Sequence, residues 1–192
     1  MKLTLYSLIN HIIKVLNMTE SKIGYNKIAK SLHWISAITI IGLFAAGFWM
    51  VGLDYYSEWY TTAPHWHKSV GIMLFILSLF RLFWKFISTS PGLIGSQFEK
   101  KAAAAAHHLL YVLLFTLFIS GYLISTADGR GIEIFNWFTV PGLGSFIENQ
   151  EDLAGLVHEY VAYTLIGLAS LHALAALKHH FINKDNTLKK ML

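Results

Sequence analysis

Residues 153–177 read LAGLVHEYVAYTLIGLASLHALAAL, an apolar run interrupted by one carboxylate, Glu159, and carrying two histidines, His158 and His172. The run exceeds the ~20 residues that cross the hydrocarbon core of a bilayer as helix. Fourteen residues of α-helix rise ~21 Å and turn through about 1400°, so His172 returns to within ~40° of the azimuth of His158. Two imidazoles therefore share one face of one span, at two depths.

Three further apolar stretches, at about 34–53, 69–87 and 102–127, have the same character. Of the 192 residues, 55% are hydrophobic and only 14% charged, against roughly a quarter charged in an average soluble domain. The pattern predicts an all-α integral membrane four-helix bundle. Arg81 and Lys85 shorten the second stretch, and their long stems are expected to snorkel to the headgroups. There is no cysteine. That excludes disulfides, thiolate-held iron–sulfur clusters and the C-x-x-C-H attachment of c-type haem. A metal or haem would have to be held by histidine, methionine or carboxylate.

The formal charge of +4 raises the question of nucleic acid, and the placement of the charges answers it against nucleic acid. With four crossings, thirteen of the fifteen Lys and Arg fall on one side: Lys2, Lys14, Lys22, Lys27, Lys30, Arg81, Lys85, Lys100, Lys101, Lys178, Lys184, Lys189 and Lys190. Lys68 and Arg130 lie on the other side, among eight carboxylates: Asp54, Glu58, Asp128, Glu133, Glu148, Glu151, Asp152 and Glu159. The positive-inside rule then puts both termini in the cytoplasm. Trp34 and Trp84 mark the inner interface, Trp49 and Trp66 the outer one.

Residues 1–27 form an N-terminal extension to a four-helix domain at 28–192. Leu5, Leu8, Ile9, Ile12, Ile13 and Leu16 are spaced for a short amphipathic helix on the membrane surface. Asn10, His11 and Lys14 interrupt the apolar core that a cleaved signal peptide needs, and Met18 offers an alternative start. The segment 128–152 is the longest connection, and its Phe135, Trp137 and Phe138 are expected on the membrane surface.

A histidine in lipid needs a partner. For any one alone, a hydrogen bond to a neighbouring helix suffices. As a set they do more. Span one starts at the inner side, so His33 shares a level with His172; span two starts at the outer side, so His67 shares a level with His158. Zinc would want three or four ligands at one level, whereas facing pairs at two levels suit axial ligation of two haems in a bundle interior. His107 and His108 open span three, where one of them could bond a propionate or a quinone carbonyl, beside plain interfacial anchoring. His179 and His180 are expected at the interface, His65 replaces His67 if the register slips, and His11 is a surface residue.

Ser31-Leu32-His33-Trp34, His67-Lys68-Ser69-Val70-Gly71-Ile72, Ala106-His107-His108-Leu109-Leu110-Tyr111 and the run from His172 through Lys178-His179-His180-Phe181 together resemble the bacterial four-helix cytochromes b561. The tail from Lys184 to Leu192 is similar to the closing motif of that family, and Gly121 to Gly129 with Ala63-Pro64 resembles its YceJ-like branch. The likeness covers about 28–192. It implies two b haems, on His33 with His172 and on His67 with His158, and electron exchange with ubiquinone in the bacterial inner membrane. A YceI-type isoprenoid-binding periplasmic protein is the partner that branch suggests.

The expectation is therefore quinone-linked electron transfer between the membrane pool and a periplasmic donor or acceptor. A relative in that family oxidises superoxide, an anion that electrostatic focusing should attract. The acidic outer loops here demote that activity, although Lys68 and Arg130 could suffice locally. Two more functions fit a bundle with paired histidines: a cytochrome b subunit of a larger dehydrogenase, and a haem-free channel that relays protons through the imidazoles.

Overall fold

The computed structural model describes residues 24–192. The amphipathic stretch at 5–16, His11 and Met18 lie outside the described residues. Four long helices carry the chain: α1 (Lys27–Met50), α2 (Thr62–Ile87), α3 (Gln97–Ser125) and α4 (Gln150–Phe181). Each is long and apolar enough to cross a membrane. A two-stranded antiparallel hairpin, β1 (Ile132–Ile134) and β2 (Phe138–Val140), and a short 3-10 turn at Leu188–Lys190 complete the fold. An all-α membrane bundle is what the composition predicts; the small hairpin is an addition to it.

The helix ends have local causes. Asn26 caps α1, its Oδ1 accepting from the Ala29 amide at 2.8 Å, and Ser96 with Glu99 forms a reciprocal capping box on α3. Glu151 and Asp152 stand in the first turn of α4 and Lys178, His179 and His180 in its last, the distribution that the helix dipole favours.

Helices α1 and α2 pack along each other, as do α3 and α4, while contacts between the two pairs are sparse. The pairs meet at mid-depth. Leu74 of α2, Leu114 of α3 and Leu165 of α4 are buried together there, with Ile40 and Leu43 of α1 against them. Leu165 is seven residues from His158 and seven from His172, so this leucine waist lies between the two histidine levels. Small hydroxyl residues, Ser36, Ser69, Ser78 and Ser120, fill other buried positions and allow close helix approach.

The side of the bundle where the described residues begin and end is fastened by the tail. The Lys190 amine donates to the Gly92 carbonyl at 2.6 Å. The Trp34 indole donates to the Met191 carbonyl at 2.9 Å, and Lys30 to that of Leu192 at 3.0 Å. Opposite, β1 lies on α2: Ile132 and Ile134 are buried, and the turn passes through Phe135 and Asn136 at φ 47° and 60°, with the Trp137 amide returning to the Ile134 carbonyl at 2.8 Å. Positive φ at both central positions gives the twist that a tight hairpin needs.

Candidate redox site

On the tail side, the rings of His33 (α1) and His172 (α4) lie 6.5 Å apart between centroids and are inclined at 66°. On the hairpin side, His67 (α2) and His158 (α4) are 6.4 Å apart at 68°. The structure thus brings together the two couples expected from depth, with nearly equal separations. All four rings are partly buried.

Hydrogen bonds assign one tautomer. The Leu117 carbonyl can only accept, and it lies 3.2 Å from His158 Nδ1. Ser120 Oγ, 3.1 Å from the same nitrogen, gives its own proton to the Thr116 carbonyl at 2.8 Å. His158 Nδ1 therefore carries the proton, and Nε2 keeps the free lone pair. His67 Nδ1 is buried without a protein partner. His33 Nδ1 instead faces the Arg81 guanidinium at 3.0 Å.

Glycine makes room for two of these rings. A Cβ on Gly121 would stand 3.2 Å from His158 Cε1, and one on Gly47 would stand 3.4 Å from His67 Cε1.

The remaining candidates separate by position. His107 of α3 stands 5.2 Å from His172 between ring centroids, making a third imidazole on the tail side. Among the described residues, no three His, Asp or Glu converge as a metal site. His108 Nδ1 is 2.7 Å from the Ala104 carbonyl of its own helix and is exposed. His179 is buried and turned to the tail, its Nδ1 2.6 Å from Asp185 Oδ2, and His180 Nδ1 is buried without a partner. His65 lines an outward cleft of about 400 Å³ with Thr61, Thr62, Trp66, Phe135 and Asn136, so the register leaves His67, not His65, opposite His158. Arg130 pairs with Asp128 through Nε at 2.6 Å, which lowers the Asp128 carboxyl and raises the guanidinium.

Sequence reasoning missed three residues. Arg81 points into the bundle and not to the headgroups, over the Tyr111 ring at 5.6 Å; its spacing of one helical face from His67 gave no hint of the partner. Tyr111 and Ser120 carry no signal in sequence, because their roles depend on residues far along the chain.

A family model described as prokaryotic cytochrome b561 matches residues 24–192. The chain is 46% identical over 179 residues to Cytochrome b561 homolog 2 of Escherichia coli, covering 92% of this chain and 95% of that protein. It is 28% identical over 177 residues to Cytochrome b561 homolog 1 of the same organism, covering 88% and 96%. A protein named Probable superoxide oxidase CybB, from Yersinia pestis, is 30% identical over 135 residues, covering 66% of this chain and 72% of that one.

Proposed function

Because the chain belongs to the prokaryotic cytochrome b561 family, multi-pass membrane proteins that transfer electrons with b-type haem, we propose that it holds two such haems and passes electrons between ubiquinone and a periplasmic donor or acceptor. His33 with His172 would bind one, His67 with His158 the other. When bound, each supplies a one-electron relay whose potential the protein sets through ligands, hydrogen bonds and burial.

The observation that carries this reading is the pair of near-equal ring separations, 6.5 and 6.4 Å. Separations of this size leave room for one metal atom between the two imidazoles of each couple. The surroundings of the hairpin-side couple agree with it. The His158 ring donates from Nδ1 to the backbone, as a ligating histidine usually does to fix its tautomer. His67 has a buried ring nitrogen with no protein partner. Leu74, Leu114 and Leu165 exclude water from the middle.

In this reading 28–192 is the haem-binding domain and 1–27 its extension. The Lys and Arg distribution supports a cytoplasmic side for both termini, in the bacterial inner membrane. Nothing in the relatives' names or in the geometry supports a YceI-type partner, and the reading does without it. Superoxide is the second reading, favoured by one relative's name. Against it, Asp128 neutralises Arg130, leaving Lys68 without an ion-pair partner among the described residues to draw an anion to that side.

Haem quantification on protein from haem-replete cells tests the proposal. Two b haems per chain are expected, with one lost in His67→Ala and the other in His172→Ala. A colourless protein, or full haem content in both variants, overturns it. Quinone reduction under a superoxide flux at no more than the background rate would remove the second reading.

A further inference from the structure

The two histidine levels differ in charge. On the tail side, the Arg81 guanidinium donates to His33 Nδ1 at 3.0 Å, and the Tyr111 ring lies beneath it at 5.6 Å. Lys85, one turn on, has its amine 5.4 Å from the same ring. Among the described residues, neither cation has a carboxylate in ion-pair range. Arg81 is half-buried, and a guanidinium is not deprotonated in proteins. A permanent, uncompensated positive charge therefore stands beside the His33/His172 couple, and the Tyr111 face holds it there.

The hairpin side is arranged otherwise. His158 donates to the Leu117 carbonyl and Ser120 hydroxyl, so its ring faces the negative ends of two dipoles. Of the two cations on this side, Arg130 is exposed and already paired with Asp128, and Lys68, next to His67 in sequence, bonds to neither histidine and acts on the same Asp128 carboxylate.

Adding an electron to a redox centre adds a negative charge, and a nearby cation in a low-dielectric site stabilises the reduced state. We infer that Arg81 sets the direction of electron transfer by holding the redox centre at His33/His172 at a higher potential than the one at His67/His158. Electrons entering on the hairpin side then run toward the tail side. The inference rests on the proposed reading of two haems. It depends on where the charge sits and on no proton, since the guanidinium stays charged in proteins. With the termini cytoplasmic, this transfer runs against a membrane potential that is negative inside. A gradient of this sign is what such a transfer needs.

Equilibrium redox titration of the purified haem-loaded protein, followed by absorbance, tests it. Wild type is expected to show two components, the higher of which disappears in His33→Ala and the lower in His67→Ala. Arg81→Gln should lower the higher component alone, shifting electron sharing between the centres at least tenfold, about 59 mV for a one-electron couple. Arg81→Lys should retain most of the gap. Lys85→Gln, which leaves the His33 contact intact, should lower the same component by less, and it decides the matter if Arg81→Gln does not fold. An unchanged gap, a shift confined to the lower component, or loss of the higher component in His67→Ala overturns the inference while two haems remain. A wild-type protein with one component or none overturns the parent reading and this inference with it.

Discussion

Ser69 Oγ accepts the backbone amide of Phe135 at 3.1 Å, which fastens the turn of the hairpin to α2 two residues beyond His67. Ser69 is fully buried, so the bond has no water to replace it.

Ser69→Ala leaves the Phe135 amide unsatisfied, at a cost of about 1–3 kcal/mol. Amide hydrogen exchange in residues 132–140 should quicken by roughly tenfold or more, since 1.4 kcal/mol is a factor of ten. Exchange in the middle of α3 and α4 should not change.

Gly121 and Gly47 form a matched pair. A methyl group at 121 meets His158 at 3.2 Å, closer than carbon atoms rest comfortably, so Gly121→Ala must displace that ring. A methyl at 47 meets His67 at 3.4 Å, near ordinary contact. Gly121→Ala is expected to lower haem occupancy at the hairpin side, and Gly47→Ala to change it little, as measured by haem content and the absorbance band.

The tail docking should be acid-labile. Burial alone would push the Asp185 carboxyl up, but the bonds it takes from Thr187 and His179 prevail and hold it below the usual range. A carboxylate lowered by folding contributes stability that is complete above its unfolded value of ~3.9 and lost as pH falls through the folded one. Trp34, whose indole binds the Met191 carbonyl, should report this by fluorescence as the pH drops below about 4. Asp185→Asn should release the tail at neutral pH, and Trp34→Phe should remove the signal.

The leucine waist should tolerate size changes poorly. Leu114 and Leu165 are 6% and 4% exposed, and truncating such a residue to Ala typically costs ~2–5 kcal/mol. Leu165→Ala should lower the thermal midpoint in detergent while leaving haem content intact, because Leu165 stands two turns from either histidine.

Most of the architecture was legible from hydropathy and spacing. The four spans and the sharing of levels among His33, His67, His158 and His172 follow from apolar length and helical rise. The helix limits did not. α1 starts at Lys27, seven residues before the apolar run, because the Asn26 cap and the headgroup zone let a polar segment stay helical. α2 starts at Thr62, not 69, so His67 lies well inside a helix and not at its mouth. Hydropathy reports the lipid, whereas caps report the helix. The hairpin escaped notice because the alternation of Ile132, Glu133 and Ile134 is too short to stand out. Arg81 was misread for a different reason. A cation near a helix end snorkels unless something inside competes for it, and here His33 and Tyr111 on two other helices do.

Helices α1 with α2 and α3 with α4 are two self-sufficient leaves that touch each other mainly at the leucine waist. A flat ligand laid between the leaves above or below that waist would touch both of them. In the proposed reading, haem that binds only the joined form would stabilise it by mass action. Protein made without porphyrin should then be cleaved by proteases faster than protein made with it.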